Sequence, residues 1–151
     1  MIYSKKLKDI REEKNITQEE ISNVLNISRG VYSVYETENQ IIPIKHLDVL
    51  SNYFNVSIDY LFQFTNIKNY DNSNSINLEI SVKRLKEFRK DNKITQVNLA
   101  KMLNVANGTI ANYECGRNFI ATPFLYEICK KYKISADYLL GKVDNPKYIN
   151  F

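Results

Sequence analysis

Residues 7–28 read LKDIREEKNITQEEISNVLNIS, and residues 85–106 read LKEFRKDNKITQVNLAKMLNVA. The offset of 78 pairs Thr17 with Thr95 and holds without a gap as far as Asp59-Tyr60-Leu61 and Asp137-Tyr138-Leu139. A repeat of about sixty residues is one small fold written twice. It predicts domains over 1–65 and 81–142, a linker over 66–80 and a tail over 143–151. The polar, aperiodic run Asn69-Tyr70-Asp71-Asn72-Ser73-Asn74-Ser75 marks the linker. Ile76, Leu78 and Ile80 are expected to staple the start of the next helix rather than to form a strand.

Each copy reads as five short helices, an all-α fold. Glycine and proline are scarce, at 4 and 3 residues, which disfavours a β architecture. In the first copy Tyr3, Leu7 and Ile10 recur at helical spacing. Thr17 and Glu20 form a capping box for a second helix, whose buried face is predicted as Ile21, Val24 and Leu25. Asn26 stands where the chain must turn, and asparagine tolerates the left-handed conformation. Ser28 caps a third helix from Arg29 to about Glu36, Pro43 opens a fourth, and Ser57 caps a fifth. The second copy repeats this plan, with Asn98 at the position of Glu20 and Gly141 as a C-terminal cap.

Charge separates the copies. Residues 1–65 hold seven basic and nine acidic side chains, a balance of −2, whereas 66–151 hold fourteen and eight, a balance of +6. A polyanion is expected to prefer the second copy. No apolar run approaches the ~20 residues of a membrane span, and the first residues lack a signal peptide's apolar core. The expectation is a soluble, cytoplasmic protein. Cys115 and Cys129 fit neither a zinc pattern nor a disulfide framework and are expected to be free thiols. The single histidine, His46, faces Phe124 in the other copy and is expected at the surface. Glu12, Glu13, Glu19 and Glu20 read as solvated helix faces. Without a phosphate-cradling glycine loop or a metal-ligand cluster, the chain carries no catalytic, metal or cofactor signature.

The paired stretches ITQEEISNVLNISRGVYSVYE and ITQVNLAKMLNVANGTIANYE resemble the DNA-binding domain of the Cro and lambda-repressor type, called Xre-like. The resemblance covers roughly residues 3–63 and 81–141. Ser22 and Ala100 supply the small residue inside helix two. The resemblance implies that helix three enters the major groove of double-stranded DNA. It sets Gln18 and Gln96 against the phosphate backbone. It sets Arg29, Gly30, Val31, Ser33 and Val34 on one reading face, and Asn107, Gly108, Thr109, Ala111 and Asn112 on the other. Tyr32, Tyr35, Ile110 and Tyr113 are expected to point inward. Arg11 with Glu36, and Arg89 with Glu114, match a family pair that ties helix one to helix three. Gly116-Arg117 follows the second reading helix, where the family usually has a glycine and basic residues that serve the turn and the phosphates. The first copy departs from it with Glu38-Asn39-Gln40, and is expected to contribute less DNA affinity.

The function so implied is a sequence-specific regulator of transcription, a prokaryotic or phage repressor. The alternative is a protein-interaction module such as an antitoxin, using the acidic first copy. A DNA operator is the expected partner, homodimerisation is left open, and no small-molecule ligand is implied. The fourteen residues 66–79 would typically span about 20 Å as a coil and at most about 50 Å. That range includes the ~34–36 Å between half-sites one DNA turn apart.

Overall fold

The computed structural model describes residues 1–148, and within them the chain forms ten α-helices and no strand. Ile149 and Phe151 of the tail lie outside the described residues. The chain divides into two compact units, residues 1–71 with Tyr148, and residues 72–147.

The first unit holds α1 (Ile2–Glu13), α2 (Gln18–Leu25), α3 (Arg29–Glu36), α4 (Ile44–Tyr53) and α5 (Ile58–Leu61). Tyr3, Leu7 and Ile10 on α1 are buried against a core that includes Ile21, Tyr32, Leu47, Leu50, Ile58 and Leu61. The α2 helix packs on α3 and α4, and α1 packs on α3 and α5. The entries of α2, α3 and α5 are capped by side chains as the sequence dictates, whereas α1 and α4 start without a side-chain cap. Thr17 accepts the Glu20 amide while the Glu20 carboxylate accepts the Thr17 amide. Ser28 and Ser57 accept the amides of Val31 and Tyr60. One expectation fails: Val24 is 37% exposed, because the inward stripe of α2 is carried by Ile21, the small Ser22 and Leu25.

The second unit holds α6 (Leu78–Asp91), α7 (Gln96–Leu103), α8 (Asn107–Glu114), α9 (Thr122–Tyr132) and α10 (Ala136–Leu139). Its helices pair in the same order, α7 on α8 and α6 on both α8 and α10. Ile76 and Leu78 form no strand: Asn77 caps α6 by accepting the Ile80 amide. Thr95 and Ser135 cap α7 and α10, but Ala106, at the start of α8, offers no side-chain cap. Two buried positions differ in kind. Tyr32 and Tyr35 are both buried on α3, whereas α8 buries only Ile110 and leaves Tyr113 half-buried.

The duplication is sharpest in the backbone. Five left-handed residues recur at the repeat offset: Asn15 and Lys93 (φ 54° and 55°), Asn26 and Asn104 (54° and 55°), Glu38 and Gly116 (64° and 80°), Asn55 and Lys133 (54° and 57°), Gln63 and Gly141 (61° and 84°). A cation over an aromatic ring recurs too, Lys6 over Tyr60 at 4.5 Å and Arg84 over Tyr138 at 4.1 Å.

Much of the stretch read as linker and tail is built into the units. In the first, the Ser57 amide donates to the Lys68 carbonyl, and the Tyr70 hydroxyl donates to Asp59. In the second, the Ser135 amide donates to Pro146, while the amides of Asn74 and Asn77 donate to Lys142 and Leu140. Arg84 holds the segment after α10 by bonds to the carbonyls of Tyr138 and Val143. Tyr148 stacks on Phe64, with ring centroids 5.2 Å apart.

Candidate nucleic-acid interface

Geometry at the interface begins with the turn between the second and third helices of each unit. Asn26 and Asn104 adopt left-handed backbone, and Ile27 and Val105 then donate back to the carbonyls of Ser22 and Ala100. Ser22 and Ala100 are themselves buried. With almost no side chain at those points, the third helix crosses the second closely and projects one face to solvent.

On α3 that face carries Arg29, Gly30 and Val31 exposed, with Ser33 and Val34 half-buried. On α8 it carries Asn107, Gly108 and Asn112 exposed, with Thr109 and Ala111 half-buried. All ten positions expected on a reading face are therefore accessible. Arg117 is exposed directly after the left-handed Gly116. A Cβ at Gly30 would meet only Ser28 Oγ at 4.0 Å, and one at Gly108 would meet nothing within 4 Å. Packing inside the chain demands glycine at neither site.

Behind each face lies an ion pair. Arg11 Nε and Nη2 donate to the Glu36 carboxylate at 2.6 and 3.1 Å, and Arg11 Nη1 donates to the Ile16 carbonyl. Arg89 Nε and Nη2 donate to Glu114, both at 2.8 Å, and Nη1 donates to Ile94. Each arginine thus ties the first helix, the loop after it and the reading helix together. Burial by itself would raise the Glu36 carboxyl, but bonds from Arg11 and Gln18 hold it below the usual carboxylate range. The bonded carboxylates raise both guanidinium groups further. The buried phenol of Tyr32 is pushed up chiefly by desolvation, and its hydroxyl has no hydrogen-bond partner among the described residues.

Two contacts were not legible in the sequence. Gln18 donates to Glu36 at 2.9 Å, so its carboxamide is positioned from behind and keeps one N–H and its carbonyl for other partners. Among the described residues Gln96 makes no matching bond to Glu114. The other contact joins Tyr35 Oη to His46 Nδ1 at 3.1 Å, linking α3 to α4. His46 is therefore half-buried rather than free at the surface, and burial lowers its pKa. A cleft of about 500 Å³ opens between the starts of α2 and α3, lined by Arg11, Thr17, Gln18, Glu19 and Arg29.

A family model described as a helix-turn-helix domain matches the chain twice, over residues 4–67 and 82–145. The chain belongs to the helix-turn-helix family. It is a tandem protein of the Cro and lambda-repressor type. It is 42% identical over 60 residues to the HTH-type transcriptional regulator ImmR of Bacillus subtilis, a stretch covering 40% of this chain and 47% of the relative. It is 28% identical over 57 residues to the cryptic phage CTXphi transcriptional repressor RstR of Vibrio cholerae, covering 38% and 51%. It is 29% identical over 66 residues to the antitoxin PezA of Streptococcus pneumoniae, covering 42% of each. The chain thus spans about half the length of the curated relatives it matches. No solved structure matches at a significant level.

Cys115 is exposed and Cys129 buried, and among the described residues neither forms a disulfide. Among the described residues no group of three His, Cys, Asp or Glu side chains could hold a metal ion. Among the described residues no helix is long and apolar enough to cross a membrane.

Proposed function

We propose that this helix-turn-helix protein is a sequence-specific, double-stranded DNA-binding transcriptional regulator, a prokaryotic or phage repressor acting by occupying its operator. The observation that carries the reading is the exposed face of a short helix, held by a buried arginine–glutamate pair and presented twice. Likeness to a regulator and to a phage repressor supports it. The major groove admits one α-helix, and side chains near that helix's N-terminus reach base edges. Arg29 is suited to guanine, Val31 and Val34 to the thymine methyl, and Asn107 and Asn112 to adenine. Gln18, Gln96 and Arg117 serve the phosphates, which fix register without reading sequence. Such a protein works in the cytoplasm, at the nucleoid, and needs no catalytic group or cofactor.

The second unit supplies most of the affinity in this reading. Residues 72–147 hold thirteen basic and seven acidic side chains, a balance of +6, against eight and ten, a balance of −2, in residues 1–71. Only the second unit follows its reading helix with glycine and arginine. The acidic balance of the first unit, with the likeness to an antitoxin, favours protein binding as the second reading. Two measurements separate these readings. Selection of bound sites from random duplex DNA should recover a consensus, and sedimentation with and without that duplex gives the oligomeric state. A chain that binds duplex no better than a neutral control, yet co-purifies with a stoichiometric protein, belongs to the second reading.

A further inference from the structure

The repeat keeps its scaffold and changes its reading face. At the scaffold positions the residues are the same or serve alike: Thr17 and Thr95 cap, Asn26 and Asn104 turn left-handed, and arginine meets glutamate behind both faces. On the face, only Gly30 and Gly108 agree. Arg29 stands against Asn107, a fork that donates only against an amide that donates and accepts. Val31 stands against Thr109, and Val34 against Asn112, each an apolar group against a polar one. Ser33 stands against Ala111. None of these eight residues is buried, and among the described residues none makes a side-chain hydrogen bond or ion pair, so no internal polar contact accounts for the difference.

We infer that one chain recognises a composite operator built of two unlike half-sites, rather than the repeated half-site that two equal heads require. This inference rests on the DNA-binding reading above. Symmetry of an operator mirrors symmetry of the protein. A chain whose two heads differ at four of five face positions lacks that symmetry internally. The first head favours a block with guanine beside thymine, since arginine bonds guanine bidentately and valine touches the thymine methyl. The second favours a block centred on adenine, which asparagine bonds bidentately. The acidic balance of the first unit does not reach its face, where Arg29 is the only charged side chain among the five. The cleft beside it, bounded by Gln18 and Arg29, offers donors to a phosphate at the edge of the same groove.

The test is site selection from random duplex DNA with the full chain, repeated with a face graft. The graft carries Arg29→Asn, Val31→Thr, Ser33→Ala and Val34→Asn, which gives the first unit the face of the second. The unmodified chain should return two unlike blocks, and the graft should return the adenine-centred block twice. A single exposed substitution, Arg29→Ala, covers the case in which the graft does not fold. It should cost roughly 5- to 150-fold in discrimination at the guanine of the first block and leave the second block unchanged. A palindrome of one block, a single block, or a consensus that neither variant alters would overturn the composite operator and leave the DNA-binding reading standing. Salt-sensitive binding without any consensus would sink both.

Discussion

Glu36 is the residue on which the first reading head depends. Its side chain is 4% exposed and accepts bonds from Arg11 and Gln18. Replacing Glu36 by Ala leaves the arginine charge buried and unpaired and should cost about 3–5 kcal/mol, read as a drop in thermal or urea stability. Loss of DNA binding in that variant therefore reports folding, not recognition. The carboxyl of folded Glu36 lies below its unfolded value. Its contribution is complete above the ordinary glutamate pKa of about 4.3 and is lost as pH falls through the lower, folded value. His46 acts earlier in an acid titration. Its folded pKa is depressed by burial, so the neutral ring is favoured and its stabilisation is present above the ordinary value of about 6.5. As pH falls below that value the unfolded chain takes up a proton that the folded ring resists, and stability declines. His46→Phe, which copies Phe124, should flatten the melting temperature between pH 7 and pH 5. An unchanged pH profile would show that the titration of the His46 ring is not coupled to folding. The arginine–glutamate pairs were readable from the family pattern. The bonds of Gln18 and His46 were not, because each joins residues far apart in sequence whose types carry no pairing signal.

The turns decide how the helices meet. Asn26, Asn104, Gly116 and Gly141 advertise left-handed backbone, and caps at Thr17, Ser28, Ser57 and Thr95 advertise helix starts, so these were legible. Lys93, Lys133, Glu38 and Gln63 are also left-handed, yet nothing in their chemistry announces it. There the packing of the flanking helices sets the backbone and the residue tolerates the strain, which costs of order 1–2 kcal/mol in the left-handed region. Lys133→Asn, which copies Asn55, should raise stability by up to about 1 kcal/mol, measured by urea unfolding. Gly141→Ala should do the reverse. It combines φ of 84° with a Cβ only 3.2 Å from Asn77 Cβ and 3.3 Å from Ile80. Val24 shows the other limit of periodicity. A heavy apolar residue on a helix of eight residues looks inward by spacing, but the short α2 has room for only one narrow buried stripe. The second reading helix is less secured than the first, starting at Ala106 without a cap. Ala106→Ser should stabilise the second unit by about 1 kcal/mol, a cap's usual contribution, without altering the recovered DNA sequence.

At the scale of the whole chain, the duplication, the all-helical plan and the helix order were all readable, because a repeat of sixty residues constrains every position twice. The extent of the linker was not. Its polar composition suggests a free coil, but the amides of Asn74 and Asn77 and the carbonyl of Lys68 are bonded within their own units. Composition reports solubility, whereas those bonds are made by backbone groups that every residue carries. The unequal charge of the units gives a prediction about salt. Arg117→Ala should weaken binding to all duplexes alike and reduce the slope of log affinity against log salt by about 1, whereas Asn112→Ala should relax preference at one base pair. Equal effects on all sequences from both substitutions would remove Asn112 from the reading face. The most direct test of the DNA-binding claim is the affinity of the purified chain for random duplex DNA, measured at several salt concentrations and followed by sequencing of the retained sites. Tight, steeply salt-dependent binding that enriches a defined sequence is the outcome expected. Affinity at moderate salt no greater than that of a neutral control protein would contradict it.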